Sequence, residues 1–248
     1  MKVLPCLALF LFLITTARSE AGTYSFDKNV VDGKQAIEER DRYIAVFGGF
    51  SFYDNFGTDF QFVAPNDGPF FEGNINVSRD PGWIAGIALG KRKSGNWRFE
   101  TEFTHHQSSG GNFTAVVSGS GNFNLQGPFS GDVVTNSLMI NAVKDFGSGK
   151  LRPYLGAGAG LSWVDVQLSN NPAFSLQADD LELGYQVFGG LSYHVSERLS
   201  IFGEYRLTGH GDIGPAFYSL TPPNFQSQVD LLDLGISSHV ILGLRLDF

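Results

Sequence analysis

The chain is almost without cysteine. Its one example, Cys6, lies inside an apolar leader, so the mature chain has none, and disulfide frameworks, thiolate nucleophiles and thiolate metal sites are excluded. Long hydrophobic runs are also missing: past the leader, no stretch offers the roughly 20 apolar residues that a membrane-crossing helix needs. Basic residues are scarce, with 17 Lys and Arg against 25 Asp and Glu and a formal net charge of −8. That balance argues against nucleic acid as a partner, because phosphates need basic surface, and it predicts no polybasic patch for anionic lipid.

What is present begins with an address. Met1 and Lys2 make a basic start, residues 3–16 are almost wholly apolar, and Ser19-Glu20-Ala21 sets small residues at alternate positions before a cleavage point. Residues 1–21 therefore read as a signal peptide, with Cys6 too early to be a lipid-attachment cysteine. Residues 22–41 read as a polar extension, and 42–248 as one all-β domain. Its composition is rich in Gly (31) and Phe (23) and low in charge, as in a chain built of strands and turns.

The sequence repeats with a period of two rather than 3.6. In LRPYLGAGAGLSW (151–163), Leu151, Leu155, Leu161 and Trp163 share a parity with Ala157 and Ala159, and the other parity is polar or glycine. In WRFETEF (97–103), Trp97, Phe99 and Phe103 alternate with Arg98, Glu100 and Glu102. The split recurs in 183–194, 199–207 and 239–248, and more weakly in 83–92 and 137–146. Residues 43–53 are apolar on both parities, which leaves their faces unassigned. These are eight strands. Three links are only SGN, GSGK and VSER, while 54–82, 107–132, 165–181 and 208–233 are long and rich in Gly, Ser, Asn, Asp and Pro. Short and long links in alternation describe an antiparallel up-and-down barrel, with both its ends at the short-turn side.

Such a meander fits a soluble barrel with an apolar interior or a membrane barrel with an apolar exterior. The aromatic residues discriminate. On the apolar parity Trp97, Phe146, Tyr193 and Phe248 come at the short-turn ends, and Trp83, Phe103, Trp163 and Tyr185 at or near the long-loop ends. Two aromatic rings flanking an aliphatic band are what the two interfaces of a bilayer select. The opposite parity carries Arg98, Glu100, Glu102, Arg152, Glu204, Arg206 and Arg245, a set that lipid would not tolerate and a lumen can hold. The sequence thus predicts an eight-stranded transmembrane β-barrel.

Three stretches, RPYLGAGAG (152–160), GYQVFGGLSYHVSERLSIFGEYR (184–206) and HVILGLRLDF (239–248), resemble the eight-stranded bacterial outer-membrane barrels related to the outer membrane protein A transmembrane domain and the opacity-type porins and surface antigens. The resemblance spans residues 42–248. It implies an outer-membrane location, short periplasmic turns, four long extracellular loops and both mature termini in the periplasm. It also implies contact with outer-membrane lipid and lipopolysaccharide. Leu244, Leu246 and Phe248 match the family's terminal address for the barrel-assembly machinery. No peptidoglycan-binding domain is expected after the barrel.

The chemistry on offer is limited. The inward charges are expected to form a plugging ion-pair network, since an eight-stranded interior has room only for its own side chains. His105 and His106 are neighbours on a strand and point to opposite faces, so they cannot grip one metal without a bulge, and both are expected at the surface. His194, Ser196 and Glu197 have the spacing of a hydrolase His and Ser with a nearby acid, but they lie at a short turn, away from the outer leaflet where a lipid A deacylase would work. His210 is on the correct side without that serine. GAGAG lies within a strand, so there is no phosphate loop, and no cofactor is expected. The expected function is a structural, surface-exposed barrel whose loops serve interaction or adhesion, with a ligand the sequence does not name. A lipid A-modifying enzyme and a small narrow channel are the alternatives.

Overall fold

The computed structural model describes residues 41–63, 70–118, 123–170, 174–211, 216–220, 225–229 and 235–248. The leader read at 1–21 and the extension read at 22–41 lie outside the described residues, apart from Asp41. The strands are β1 Arg42–Tyr53, β2 Phe56–Val63, β3 Phe70–Arg79, β4 Gly82–Lys93, β5 Trp97–Ser118, β6 Phe123–Asp145, β7 Leu151–Asn170, β8 Phe174–His194, β9 Leu199–His210, β10 Ala216–Leu220, β11 Phe225–Val229 and β12 Ser237–Asp247.

Eight of them close into a ring. β1, β4, β5, β6, β7 and β8 pair antiparallel in order, β8 pairs with β9, β9 with β12, and β12 returns to β1. The seam runs in register from Tyr43 opposite Asp247 to Tyr53 opposite Ser237. A closed ring leaves no unpaired wall edge, which is the condition for a sheet to stand in hydrocarbon.

Exposure alternates along each wall strand as the sequence pattern requires. Leu155, Leu183, Val187, Leu242 and Ile140 face outward and are exposed, while Arg98, Glu102, Asn141, Gln186 and His239 face inward and are buried. β1 becomes readable here: Tyr43, Ala45, Phe47 and Ser51 point in, and Val46, Phe50 and Phe52 point out. Its double apolar parity arises because large rings also furnish the interior. Those rings lie flat on glycines of neighbouring strands. A Cβ on Gly86 would come within 2.4 Å of the Phe47 ring, and one on Gly156 within 2.4 Å of the Phe188 ring. The glycines make room for the lumenal aromatic residues.

The three short turns stand where expected. In SGN, Gly95 and Asn96 both take positive φ, 72° and 60°, the two residue types that tolerate it most readily. In VSER, the Ser196 hydroxyl accepts from the amides of Arg198 and Leu199 and so caps the reversal.

The long links differ from expectation. Residues 107–132 and 165–181, read as irregular, are largely strand: β5 and β6 run on to Ser118 and Phe123, and β7 and β8 to Asn170 and Phe174. The link 54–82 contains the β2–β3 hairpin, whose β3 pairs with β5, and 208–233 contains the β10–β11 hairpin, whose β10 pairs with β8. Above the ring, therefore, the same sheet continues in the order β2, β3, β5, β6, β7, β8, β10, β11. We call this part the head.

A bulge marks the passage from wall to head. β5 leaves β4 at Gln107, its register shifts between Ser109 and Gly111, and from Gly111 it takes β3 as its new partner. Gly111 has φ +136°, and a Cβ there would lie 1.9 Å from the carbonyl oxygen of Ser78. Bulges bend and re-aim a strand, and this one needs glycine for both reasons. Gly111→Ala is expected to cost about 1–3 kcal/mol of stability, measured by urea unfolding of the barrel in lipid vesicles.

Candidate functional site

Two regions carry the features from which a function can be built: the lumen and the head. In the lumen, two buried clusters form around arginines. Arg98 donates from Nε to both Asp145 oxygens at 3.1 and 2.9 Å, and from Nη1 to Glu100 at 2.5 Å and to the Tyr43 hydroxyl at 3.0 Å. Tyr43 in turn donates to Glu100. Arg206 holds both oxygens of Glu102, at 2.5 and 3.0 Å, and donates from Nε to Glu204 at 2.9 Å. Gln186 and Asn141 also donate to Glu102, and Tyr154 donates to Glu204 at 3.0 Å.

Arg206 lies between the Phe47 and Phe188 rings, 5.2 and 5.0 Å from their centroids. Arg245 is held mainly by rings, with Tyr43 and Phe202 at 5.0 and 5.1 Å, and it touches Ser192 at 3.5 Å. Bidentate guanidinium–carboxylate pairing with further donors on the same oxygens is what lets such charges be buried at all. Counting Arg245, side chains from seven of the eight wall strands meet in the ring's interior at this level.

Of the residues expected in the network, Arg98, Glu100, Glu102, Glu204, Arg206 and Arg245 are brought together. Arg152 is not. Its guanidinium turns back to the carbonyl oxygens of Gly149 and Ser148, at 2.9 and 3.5 Å, in the GSGK turn. It lies too close to a strand end to reach the buried acids. Tyr43, Tyr154, Asn141, Gln186 and Asp145 were missed. Asp145 could have been found, since it stands on the inward parity of β6, one residue before Phe146.

The histidine expectation is corrected for one residue of the pair. His105 faces outward and bonds Asn136 at 2.8 Å beside Trp83. His106 faces inward, is 4 % exposed, and meets His239 edge to face with ring centroids 4.7 Å apart. His239 stands on the inward parity of β12 with Nδ1 bonded to the Ser51 hydroxyl at 2.8 Å. Together with Thr104, Ser137, Ser162 and Thr208 these rings form a second polar layer beside the arginine clusters. In the hydrolase-like trio, the Ser196 hydroxyl is engaged by its turn amides, as described above. His194 closes β8 with its amide on the Lys150 carbonyl.

Of the two aromatic rings, Trp97, Phe146, Tyr193 and Phe248 are exposed at the short-turn end, and Trp83 and Tyr185 are exposed toward the head. Phe103 and Trp163 are half-buried and lie inside strands that continue past them. The second ring therefore does not mark strand ends. It marks a change of polarity. On β7, outward Leu155, Leu161 and Trp163 give way to outward Asp165 and Gln167, while the inward side changes from Ser162 to Val164, Val166 and Leu168, each at most 2 % exposed. On β8, Asp179 and Gln177 face out and Ala178 is buried; on β6, Asp132 faces out and Val133 is buried. Below this level the barrel is apolar outside and polar within. Above it the head is polar outside with an apolar core, as a water-soluble β-structure is.

A ring of eight antiparallel strands with an apolar belt, interfacial aromatic residues and a charged lumen defines a transmembrane β-barrel of the bacterial outer membrane. Residues 90–217 match the family described as Opacity family porin protein, more than half of the chain, and the chain belongs to that family. No curated protein matches the sequence significantly. Among solved structures, the outer membrane protease OmpT from Escherichia coli is similar at 8 % identity and TM-score 0.51, covering 84 % of this chain and 97 % of its own. The outer membrane protein OprG from Pseudomonas aeruginosa is similar at 16 % identity and TM-score 0.50, covering 84 % and 96 %. Neisserial surface protein A is similar at 16 % identity and TM-score 0.46, covering 84 % and 97 %. At these identities the likeness establishes the fold alone.

Proposed function

We propose that this protein is a structural, non-enzymatic barrel that presents a folded β-rich head outside the cell for interaction or adhesion, with its lumen closed by side chains. The observation that carries the reading is the reversal of polarity at Trp163. A head with its own apolar core is a rigid display surface rather than a set of loose loops, and binding functions concentrate on such scaffolded segments. The engagement of Ser196 in its turn supports a non-enzymatic barrel over a lipid A hydrolase. The short turns and both mature ends face the periplasm in this reading, and Leu244, Leu246 and Phe248 present the terminal strand to the assembly machinery.

The head's charge defines the chemistry of its partner. Residues 54–82, 107–132, 165–181 and 208–233 hold twelve Asp and Glu against one basic residue, Arg79. A partner with basic surface, or one bridged by divalent cations, fits that field.

Topology and plug are tested separately. With Cys6 absent from the mature chain, single cysteines at Gln167 and Asp179 are expected to react with an impermeant thiol reagent on intact cells. Cysteines at Ser94 and Ser148 are expected to react only after the outer membrane is breached. The reverse pattern inverts the orientation. In planar bilayers, the purified barrel is expected to give no stable opening of porin size, because Arg98, Arg206 and their carboxylates fill the interior. Reproducible large, long-lived openings overturn the closed lumen and favour the channel. Lipid A that changes mass when the protein is expressed overturns the non-enzymatic reading.

A further inference from the structure

A net charge of −8 conceals a local excess of the opposite sign. At the short-turn end, β1, β4, β5 and β6 are neighbours, and their outward positions carry Arg42, Lys91, Lys93 and Lys144. The register sets Arg42 beside Lys91, and Lys93 and Lys144 on either side of Trp97. Lys144 Nζ lies 5.1 Å from the Trp97 ring centroid. One acid enters the group: Asp41 is 3.0 Å from Lys91 and 3.9 Å from Arg42. Lys93 makes no ion pair among the described residues.

The opposite half of the same rim is different. Outward positions of β7, β8, β9 and β12 at that end are Leu151, Tyr193, Ile201 and Leu246, followed by Phe248. The cations borne on outward wall positions are thus on this side, around the exposed rings of Trp97 and Phe99, with Ile140 exposed nearer the middle of the wall, whereas Lys150, Arg152 and Arg198 of the other half stand at its turns. The expectation of no basic patch rests on the chain-wide balance, and the local one differs: twelve of the 25 acids lie in the four long links at the other end of the strands.

Lysine stems lie along an apolar wall and hold their ammonium groups at the depth of lipid headgroups, where a tryptophan ring also prefers to sit. The anion available at that depth is the lipid phosphate. We propose that this wall patch around Trp97 binds an anionic phospholipid, its phosphate held by Arg42, Lys91, Lys93 and Lys144 and its chains lying over Phe99 and Ile140. Lipid of that kind faces this end in the orientation proposed above, and the proposal rests on that reading for its setting in the cell.

The test uses Trp97 as its reporter. Changing Trp83→Phe and Trp163→Phe in the full mature chain leaves Trp97 as the lone tryptophan. The protein is refolded into phosphatidylcholine vesicles containing about a tenth phosphatidylglycerol, and quenching is compared for bromine-labelled chains on one lipid or the other. Phosphatidylglycerol is expected at roughly fivefold its bulk fraction around Trp97, from about one cation's worth of surface attraction, and the enrichment is expected to vanish at about 1 M salt, where charges are screened beyond about 3 Å. It is expected to be lost in Arg42→Gln/Lys91→Gln/Lys93→Gln and kept in Lys150→Gln/Arg198→Gln, which removes charge elsewhere on the rim. Equal quenching by the two lipids, or enrichment surviving in the triple variant, overturns the site. If the triple variant fails to fold on unboiled gels, the salt series alone decides, and a preference indifferent to salt overturns it. Both leaflets of the vesicle are alike, so the readout is independent of which end faces outward, and an inverted topology would be revealed only by the cysteine labelling.

Discussion

Replacing Arg206 with Ala is expected to lower the barrel's unfolding free energy by about 3–5 kcal/mol, the cost of stranding buried carboxylates without their partner. Arg206 and Glu102 are 3 % and 2 % exposed at their side chains, and Glu204 is 4 % exposed, so water cannot take over the guanidinium's role. The effect should come from the orphaned acids and not from lost volume. A variant that also carries Glu102→Gln and Glu204→Gln is therefore expected to regain most of the loss, because neutral amides can share the remaining bonds with Gln186 and Asn141. Arg152→Ala, whose side chain lies over a solvated turn, is expected to stay within about 0.5 kcal/mol. Urea unfolding in lipid vesicles, followed by heat-modifiable migration, measures all three. An unchanged midpoint for Arg206→Ala would mean that the lumen is wet at that level.

Introducing arginine at two outward positions of β7 is expected to give opposite results. Leu155 is 60 % exposed, and by the usual logic of surface residues it should tolerate replacement. It lies in the apolar belt, however, where an arginine near the bilayer midplane costs about 2–4 kcal/mol. Gln167 shares its parity on the same strand but lies beyond Trp163, among exposed polar residues. Gln167→Arg is expected to be neutral within about 0.5 kcal/mol. Comparison in vesicles of the same lipid isolates the environment from the substitution. Equal costs at the two positions would place Leu155 and Gln167 in the same medium and remove the polarity boundary.

That boundary also explains what the sequence reveals of this fold and what it hides. Wall strands such as 97–103 and 151–163 are legible because one parity must satisfy lipid and the other a crowded polar lumen, which makes the alternation sharp. β1 is illegible because Tyr43 and Phe47 fill the interior over glycines while Phe50 and Phe52 face lipid. The head strands are missed because Val164, Val166 and Leu168 place the apolar residues on the parity that is polar a few residues earlier. Read with one rule for the whole strand, the pattern dissolves into a loop. In the lumen, the charged members stand out by parity alone, and Tyr154 shares the polar parity of β7 with Arg152, whereas Tyr43 looks like a wall aromatic until the structure turns it inward. His106 carries the same signal, since it continues the parity of Arg98, Glu100 and Glu102, but both histidines read as surface residues from the sequence.

The seam between β1 and β12 has a further consequence, for the order of events in folding. Each other joint of the ring connects strands that follow one another in the meander, so each can zip from a nearby turn. The seam alone must bring Tyr43 to Asp247, with the whole barrel as the intervening loop. The entropy of that closure grows only slowly with loop length, but contacts so distant in the chain form late. Until they do, the sheet is a curved ribbon with two naked edges, and any other strand within reach is a competing partner. The final residues thus act as a clasp, and the time the ribbon waits for them is the interval in which the chain is most prone to aggregate.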